Sequence, residues 1–135
     1  MPDYALSLKQ PWATLLVHGH KSVEVRKWPT ARRGRILIHA ARVSDPREEA
    51  WKLVPPKLKE AANQLGGVIG VAELKDCVAY RSLEDFVAAR HLHLNEPDWF
   101  KPPVLYGFVF ANAEQLPFKP LSGWMRFFTV PAEET

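Results

Sequence analysis

Residues 5–26, ALSLKQPWATLLVHGHKSVEVR, contain a strand, a helix and a second strand in quick succession. The alternation of Tyr4–Leu8 predicts the first strand. Pro11 suits the first turn of the helix that follows, and Gly19 suits the residue just after its end. Ser22–Arg26 alternates with period two and predicts the second strand. This compact strand–helix–strand unit is the part of the chain from which the fold is best predicted.

The second strand places Ser22, Glu24 and Arg26 on one face and its two valines on the other. Lys21 lies at the turn before it. A carboxylate and a guanidinium two residues apart on one strand face can pair. Such a pair is either a surface salt bridge, below ~1 kcal/mol, or a fixed donor–acceptor set at a groove. In a groove, Glu24 would accept from a base edge while Lys21 and Arg26 engage phosphate or carbonyl oxygens.

The rest of the chain continues this mixture of strands and short helices. Strands are predicted over 35–41, 68–80, 104–111 and 124–130, and helices over 45–55, 57–65 and 82–90. Gly70, inside a strand, predicts a bulge or a close backbone approach. The 135 residues fit a single domain, 1–135. We therefore expect the α+β class, a small barrel or curled sheet of about five or six strands with short flanking helices.

Composition excludes several classes of protein. The chain is 47% hydrophobic and 24% charged, as globular domains are. The longest apolar stretch, 104–111, is too short for a membrane span. The N-terminus lacks a secretory signal pattern, so a cytoplasmic location is expected. Cys77 is the single cysteine, and the five histidines have no H-E-x-x-H spacing. We therefore expect no disulfide, metal or cofactor.

The positive charge is concentrated in one segment. Residues 21–42 hold seven cations and one anion, a net +6, whereas the whole chain carries +3. A basic segment on an otherwise acidic chain suits RNA or DNA, although a solvated basic loop is an equal alternative. Trp28 shares the strand-face parity of Glu24, and Trp124 follows a glycine. Either tryptophan could stack on a base or pack in the core.

Three sequence blocks together resemble the ASCH domain family of the PUA-like superfamily. The blocks are ALSLKQPWA at 5–13, GHKSVEVR at 19–26 and RGRILIHA at 33–40. The resemblance is strong over 4–42 and looser from Gly67 onwards. It implies a small PUA-like β-barrel that binds RNA, and some family members accompany transcription coactivators, so a protein partner is a further expectation.

The resemblance also implies where the site lies. The Gly-x-Lys-x-x-Glu-x-Arg segment would line a cleft, which carries the family's binding positions onto Gly19, Lys21, Glu24 and Arg26. The residues expected to border the same cleft are Gln10, Pro11 and Trp12.

One branch of the family implies an enzyme instead, an amidohydrolase that deacetylates N4-acetylcytidine with a Lys, a Thr nucleophile and a distant Glu. Lys21 matches the Lys, but Glu24 stands at the Thr position. Ser22 is a poor substitute because it is displaced by roughly 6–7 Å along the strand. In this alternative Lys21 is a base or electrophile and Glu24 a general acid–base. Ribonuclease activity, proposed for other members, has no histidine pair or metal cluster here to support it.

The first hypothesis is thus a module that recognises single-stranded RNA or one nucleotide, modified or unmodified. Glu24 would contact a base or ribose, and Trp28 or Trp124 would stack on it. The residues expected to contact phosphates are Lys21, Arg26, Arg32 and Arg33. The hydrolase is the second hypothesis, and a domain that binds a protein partner through the same groove is the third.

Overall fold

The computed structural model describes residues 3–131. Within this range the strands are β1 (Asp3–Leu8), β2 (Val23–Arg26), β3 (Gly34–Ala40), β4 (Gly67–Tyr80), β5 (Leu105–Pro120) and β6 (Phe127–Val130). The α-helices are α1 (Trp12–Val17), α2 (Glu48–Trp51), α3 (Leu83–Ala88) and α4 (Arg90–His93). Three 3₁₀ turns span Pro56–Leu58, Ala61–Asn63 and Pro97–Trp99.

The six strands form one sheet in the order β2-β5-β4-β3-β1-β6, which curls into a half-barrel. β1 and β3 pair in parallel, with Ser7 opposite His39, and the other neighbouring strands pair antiparallel. The predicted α+β fold, a small barrel-like sheet with short helices, is therefore confirmed. β2 and β6 are the two ends of the sheet, and three strands separate β2 from β1 in the sheet order.

Helix α1 fills the concave side of the sheet. All six of its residues are buried, and Leu15 and Leu16 belong to one core cluster with Leu6, Ile38 and Phe108. A helix whose side chains are all apolar apart from one threonine, Thr14, belongs in the core. Because α1 is held so firmly, the turn that follows it, which carries Lys21, has a fixed position under the sheet.

Gly70 lies at a bulge and at a close backbone approach, the two alternatives that a glycine inside a strand predicts. The register of β4 against β5 shifts between Val68 and Gly70. A Cβ at this glycine would lie 2.6 Å from Val17 Cγ2 and 2.7 Å from the Glu114 carbonyl oxygen. The glycine thus lets α1 pack directly against the backbone of the sheet.

Several element boundaries differ from the sequence-based predictions. The helix predicted over 57–65 is wrong, since 3₁₀ turns occupy that region, and the helix over 45–55 shortens to α2. Asp45 Oδ1 accepts from the Arg47 backbone N–H at 2.9 Å, a turn that delays the start of α2. β5 runs to Pro120, well past residue 111, because it pairs with β4 as far back as Gly67. Among residues 3–131, none of the helices is long and apolar enough to cross a membrane.

Candidate functional site

The ammonium group of Lys21 is buried and fully engaged. Its Nζ donates to the His93 carbonyl oxygen at 2.7 Å and to Asn95 Oδ1 at 3.3 Å. It lies 3.5 Å from Glu24 Oε1 and 4.9 Å from the centre of a Trp12 ring. An ammonium has three N–H donors, so three acceptors account for all of them.

Burial is the main influence on the protonation of Lys21. Removal from water lowers the pKa of Lys21 to about 8, against the opposing pull of the Glu24 carboxylate. The ammonium form still dominates at neutral pH, where its charge faces the carboxylate and the two oxygen acceptors. Lys21 therefore ties the turn after α1 to β2 and to the loop that follows α4.

That loop is held by the ring of His93. Nε2 donates to the Phe86 carbonyl oxygen at 2.7 Å, and Nδ1 accepts from the Asn95 backbone N–H at 2.9 Å. The ring also stacks on Phe86, with centroids 4.0 Å apart. Since one nitrogen donates and the other accepts, the imidazole must be neutral. Burial accordingly lowers the pKa of His93 to about 4.

Glu24 and Arg26 pair as their shared strand face predicts. Glu24 Oε2 lies 3.2 Å from Arg26 Nε and 3.0 Å from Nη2. Nη2 also donates to the Ser7 carbonyl oxygen at 2.8 Å. The guanidinium therefore bridges β2 to β1 across the opening of the half-barrel.

A cleft of about 790 Å³ lies at this opening, between the ends of β1 and β2. We call it the main cleft. Its polar lining comprises Ser7, Lys9, Glu24, Arg26, Lys27, Asp45 and Arg47, and its other lining residues are Trp12, Val25, Trp28, Ala41, Pro46, Trp99 and Leu105. Four cations against two carboxylates make the lining net positive, and three indole rings supply flat apolar surface.

The three tryptophans are held by defined contacts. Trp12 Nε1 donates to Asp45 Oδ2 at 2.9 Å, and its ring meets Trp99 edge to face at 5.8 Å. The Arg47 guanidinium lies 4.2 Å from the Trp99 ring centre. Trp28 packs edge to face on Phe108, at 5.0 Å between centroids. Rings fixed in this way lose little further freedom when a ligand stacks on them.

The structure brings only part of the predicted site together. Trp12, Glu24, Arg26 and Trp28 line the main cleft. Lys21 is buried directly behind Glu24. It lies beneath the described residues that line the cleft and is not one of them.

The predicted site residues at the two ends of α1 have a structural role. Gln10 is buried; its Oε1 accepts from the Thr14 backbone N–H at 3.0 Å and its Nε2 donates to the Gln64 carbonyl oxygen at 3.1 Å. Pro11 is the N-cap residue of α1, one position before the helix begins. Gly19 is exposed and adopts φ +80° where the helix ends. These contacts fix the position of α1.

The other predicted positions lie outside the main cleft. Ser22 lies at the start of β2, where its backbone N–H donates to the Leu92 carbonyl oxygen. The Arg32 guanidinium stacks 3.6 Å from the Tyr4 ring centre, and Arg33 lies 3.6 Å from Asp76. Trp124 is 73% exposed and borders a second cleft.

Sequence reasoning missed five charged or aromatic residues of the lining: Lys9, Lys27, Asp45, Arg47 and Trp99. Asp45 and Arg47 fall within the helix predicted over 45–55. The signal that could have found Asp45, Arg47 and Trp99 is their place in connecting segments, between β3 and α2 and between α4 and β5, because such segments often carry binding residues. Within the described residues, no group of three or more His, Cys, Asp or Glu side chains could hold a metal ion.

The comparisons with known proteins agree with this fold. The family model of the ASCH domain matches residues 6–120, so the chain belongs to the ASCH domain family. Activating signal cointegrator 1 of Homo sapiens is 37% identical over 90 residues, which is 61% of this chain and 16% of that protein. The same protein of Mus musculus is 36% identical over an alignment of the same extent. The match thus spans about a sixth of the length of these relatives.

Solved structures show the same architecture. The crystal structure of ASCH from Zymomonas mobilis has a TM-score of 0.68 and 16% identity, and the match covers 96% of this chain and 88% of that one. A point variant of that protein has a TM-score of 0.67 and 18% identity, with 96% and 91% covered. At such identities the likeness establishes the fold alone.

The neutral state of His93 predicts a specific acid sensitivity. Its folded pKa of about 4 lies below its ordinary 6.5, so between these values the unfolded chain binds more protons. The contribution of His93 to the free energy of unfolding is therefore complete above pH 6.5 and declines as the pH falls towards 4. His93→Gln keeps a donor for the Phe86 carbonyl but cannot titrate.

Urea denaturation across this pH range measures the effect. We expect the stability difference between the wild type and His93→Gln to shrink on acidification. Other titrating groups cancel in this difference. Parallel pH profiles for the two proteins would contradict a neutral, buried His93.

Proposed function

We propose that the main cleft binds one nucleotide unit of single-stranded RNA. The observation that carries this proposal is the combination, in one cleft, of a fixed Glu24–Arg26 pair, indole rings and a surplus of cations. The volume of about 790 Å³ lies within the range of small-ligand sites. Single-stranded RNA is recognised by stacking its bases on aromatic rings and by hydrogen bonds to base edges.

The base would stack against the tryptophan rings. Trp12 and Trp99 already meet edge to face, and Trp28 lines the same cleft. Base–aromatic stacking contributes about 1–3 kcal/mol per base. Because every base can stack on an aromatic ring, stacking contributes to the affinity for RNA rather than to the choice of base.

Glu24 would select the base or sugar by its acceptors. Its two oxygens are held by Lys21 on one side and Arg26 on the other, and its side chain remains 12% exposed. A carboxylate accepts from an exocyclic amino group, as Glu does from cytosine N4, or from a ribose hydroxyl. The proposed specificity is therefore for a group that donates hydrogen bonds.

Phosphates would be bound by the cations at the rim, Lys9, Lys27 and Arg47, with Arg26 at the centre. Arg32 and Arg33 would extend the path of the backbone outside the cleft. Lys21 takes a positioning role in this proposal, because all three of its donors are already used. Its charge still adds to the positive potential beneath the cleft.

RNA affinity tests this proposal most simply. Binding of a fluorescein-labelled, mixed-sequence single-stranded RNA, followed by anisotropy, should weaken steeply with salt, by a slope of about −0.7 per phosphate contacted. Trp99→Leu should weaken binding by roughly 5- to 100-fold. Lys27→Ala should flatten the salt slope by about 0.7.

Lys75→Ala is the matched control, since Lys75 is an exposed cation on β4 that pairs with Glu73. Its affinity and salt slope should stay at the wild-type values. Salt-independent binding, or no binding to any RNA in the pool, would refute the proposal. Binding that a protein partner displaces competitively would instead favour a protein-docking role for the same cleft.

The hydrolase hypothesis has one observation in its favour. Burial lowers the pKa of Lys21 to about 8, so that about a tenth of it is free amine at neutral pH. Against it, Lys21 Nζ already donates to two oxygen acceptors and is buried beneath the cleft lining. Incubation of the wild-type protein with N4-acetylcytidine and with end-labelled RNA distinguishes the two functions.

The binding proposal predicts no turnover of either substrate above buffer. Turnover by the wild type that Lys21→Ala abolishes would establish the enzyme instead. Circular dichroism of the variant checks that it remains folded.

A further inference from the structure

A second cleft, of about 620 Å³, lies beside the first. We call it the side cleft. Its lining comprises Ser7, His39, Ala41, Arg42, Gly66, Leu121, Ser122, Gly123, Trp124 and Met125. It shares Ser7 and Ala41 with the main cleft, so the two clefts meet at the end of β1 and just after β3. RNA binding in the main cleft leaves the other residues of the side cleft without a role.

A serine and a histidine are hydrogen-bonded in this cleft. Ser7 and His39 are opposite each other in the parallel pairing of β1 with β3, and Ser7 Oγ lies 2.9 Å from His39 Nδ1. His39 Nε2 lies 2.6 Å from the Leu121 carbonyl oxygen. A carbonyl oxygen only accepts, so Nε2 carries the ring proton. In the neutral ring Nδ1 is then the acceptor, and the Ser7 hydroxyl donates to it.

Nucleophilic catalysis by a serine needs three groups: a hydroxyl, an imidazole nitrogen that accepts from it, and a third group that holds the opposite nitrogen of the ring. All three are present here. Here the Leu121 carbonyl fixes the tautomer that leaves Nδ1 free to take a proton. His39 is almost completely buried, whereas Ser7 is partly exposed and lines both clefts.

The loop after β5 also holds the pair in place. A Cβ on Gly123 would lie 2.7 Å from His39 Cε1 and 3.3 Å from Ser7 Oγ. The glycine backbone therefore packs directly over the imidazole and restricts its rotation. Trp124 and Met125, which follow, are 73% and 87% exposed and give the side cleft an apolar rim.

We propose that Ser7 is a nucleophile activated by His39, and that the side cleft accepts a carboxylic ester whose apolar group packs on Trp124 and Met125. This activity goes beyond RNA binding and does not depend on it. The chemical class follows from the pair itself, since a serine with a neutral imidazole as base performs acyl transfer.

The proposed reaction is balanced with water as the only co-reactant. Ser7 Oγ forms a bond to the ester carbonyl carbon while its proton passes to His39 Nδ1. The bond from the carbonyl carbon to the alkoxy oxygen then breaks, and the leaving oxygen takes the proton from Nδ1. Water adds to the acyl-serine by the same route, which releases the carboxylic acid and restores the Ser7 hydroxyl. Nε2 stays protonated against the Leu121 carbonyl throughout.

A fluorophosphonate tests the nucleophile directly. The Ser7 oxygen would form a bond to phosphorus as fluoride leaves, and the proton would pass to His39. We expect mass spectrometry of the full-length protein to find the adduct on Ser7, formed roughly 100-fold or more faster than on Ser122. Ser122 is the internal control, a serine that lines the same cleft.

His39→Gln is the matched variant, because its amide nitrogen can still donate towards the Leu121 carbonyl while no basic nitrogen faces Ser7. It should reduce labelling of Ser7 to the rate of Ser122. Equal labelling of the two serines in the wild type would overturn the proposal, and so would unchanged labelling of Ser7 in a folded His39→Gln. If this variant does not fold, the wild-type ratio of Ser7 to Ser122 labelling decides alone.

Discussion

The contact between the buried Lys21 ammonium and its acceptors is the interaction on which the candidate site depends. Burying a charge is costly, and only excellent geometry with further hydrogen bonds offsets the cost. Here the carbonyl oxygen of His93 at the end of α4, the side-chain oxygen of Asn95 in the loop after it, and the Glu24 carboxylate meet that requirement. The ammonium thus joins the turn before β2 to residues 72 and 74 positions further along the chain, and it lies directly behind Glu24 of the main cleft.

A chain of charged side chains connects Lys21 to the lining of the main cleft. Glu24 is held between Lys21 and Arg26, and Arg26 reaches the backbone of Ser7 on β1. The edges of the sheet are β2 and β6, and the half-barrel is open between β2 and the end of the sheet formed by β1 and β6. Trp28 extends the same closure by packing edge to face on Phe127 of β6, at 5.6 Å. Side-chain contacts, rather than backbone pairing, therefore bridge the two ends of the sheet, and the main cleft lies beside these contacts.

The sequence predicted best those features that depend on residues close together in the chain. Strand parity alone predicted that Glu24 and Arg26 share a face, because period two is a property of any strand. The three sequence blocks gave the family and hence the barrel. Gly70 predicted a bulge or a close backbone approach, and the structure has both, since few other reasons place a glycine inside a strand.

Long-range contacts were beyond sequence reasoning. Two of the acceptors of Lys21 lie 72 and 74 residues further along the chain, and no local pattern indicates that a lysine two residues after an exposed glycine is buried. Asp45 joins the cleft through its bond to the Trp12 indole, a contact that only the packing of α1 creates. The helix predicted over 57–65 failed because propensity is a weak guide where prolines and short turns decide the backbone.

The indole N–H signals of the ¹⁵N-labelled protein give the most direct test of where RNA binds. During titration with single-stranded RNA, the signals of Trp12, Trp28 and Trp99 should shift together and saturate with the same dissociation constant. The account would be contradicted if these three signals stayed in place at saturating RNA, or if only that of Trp124 moved.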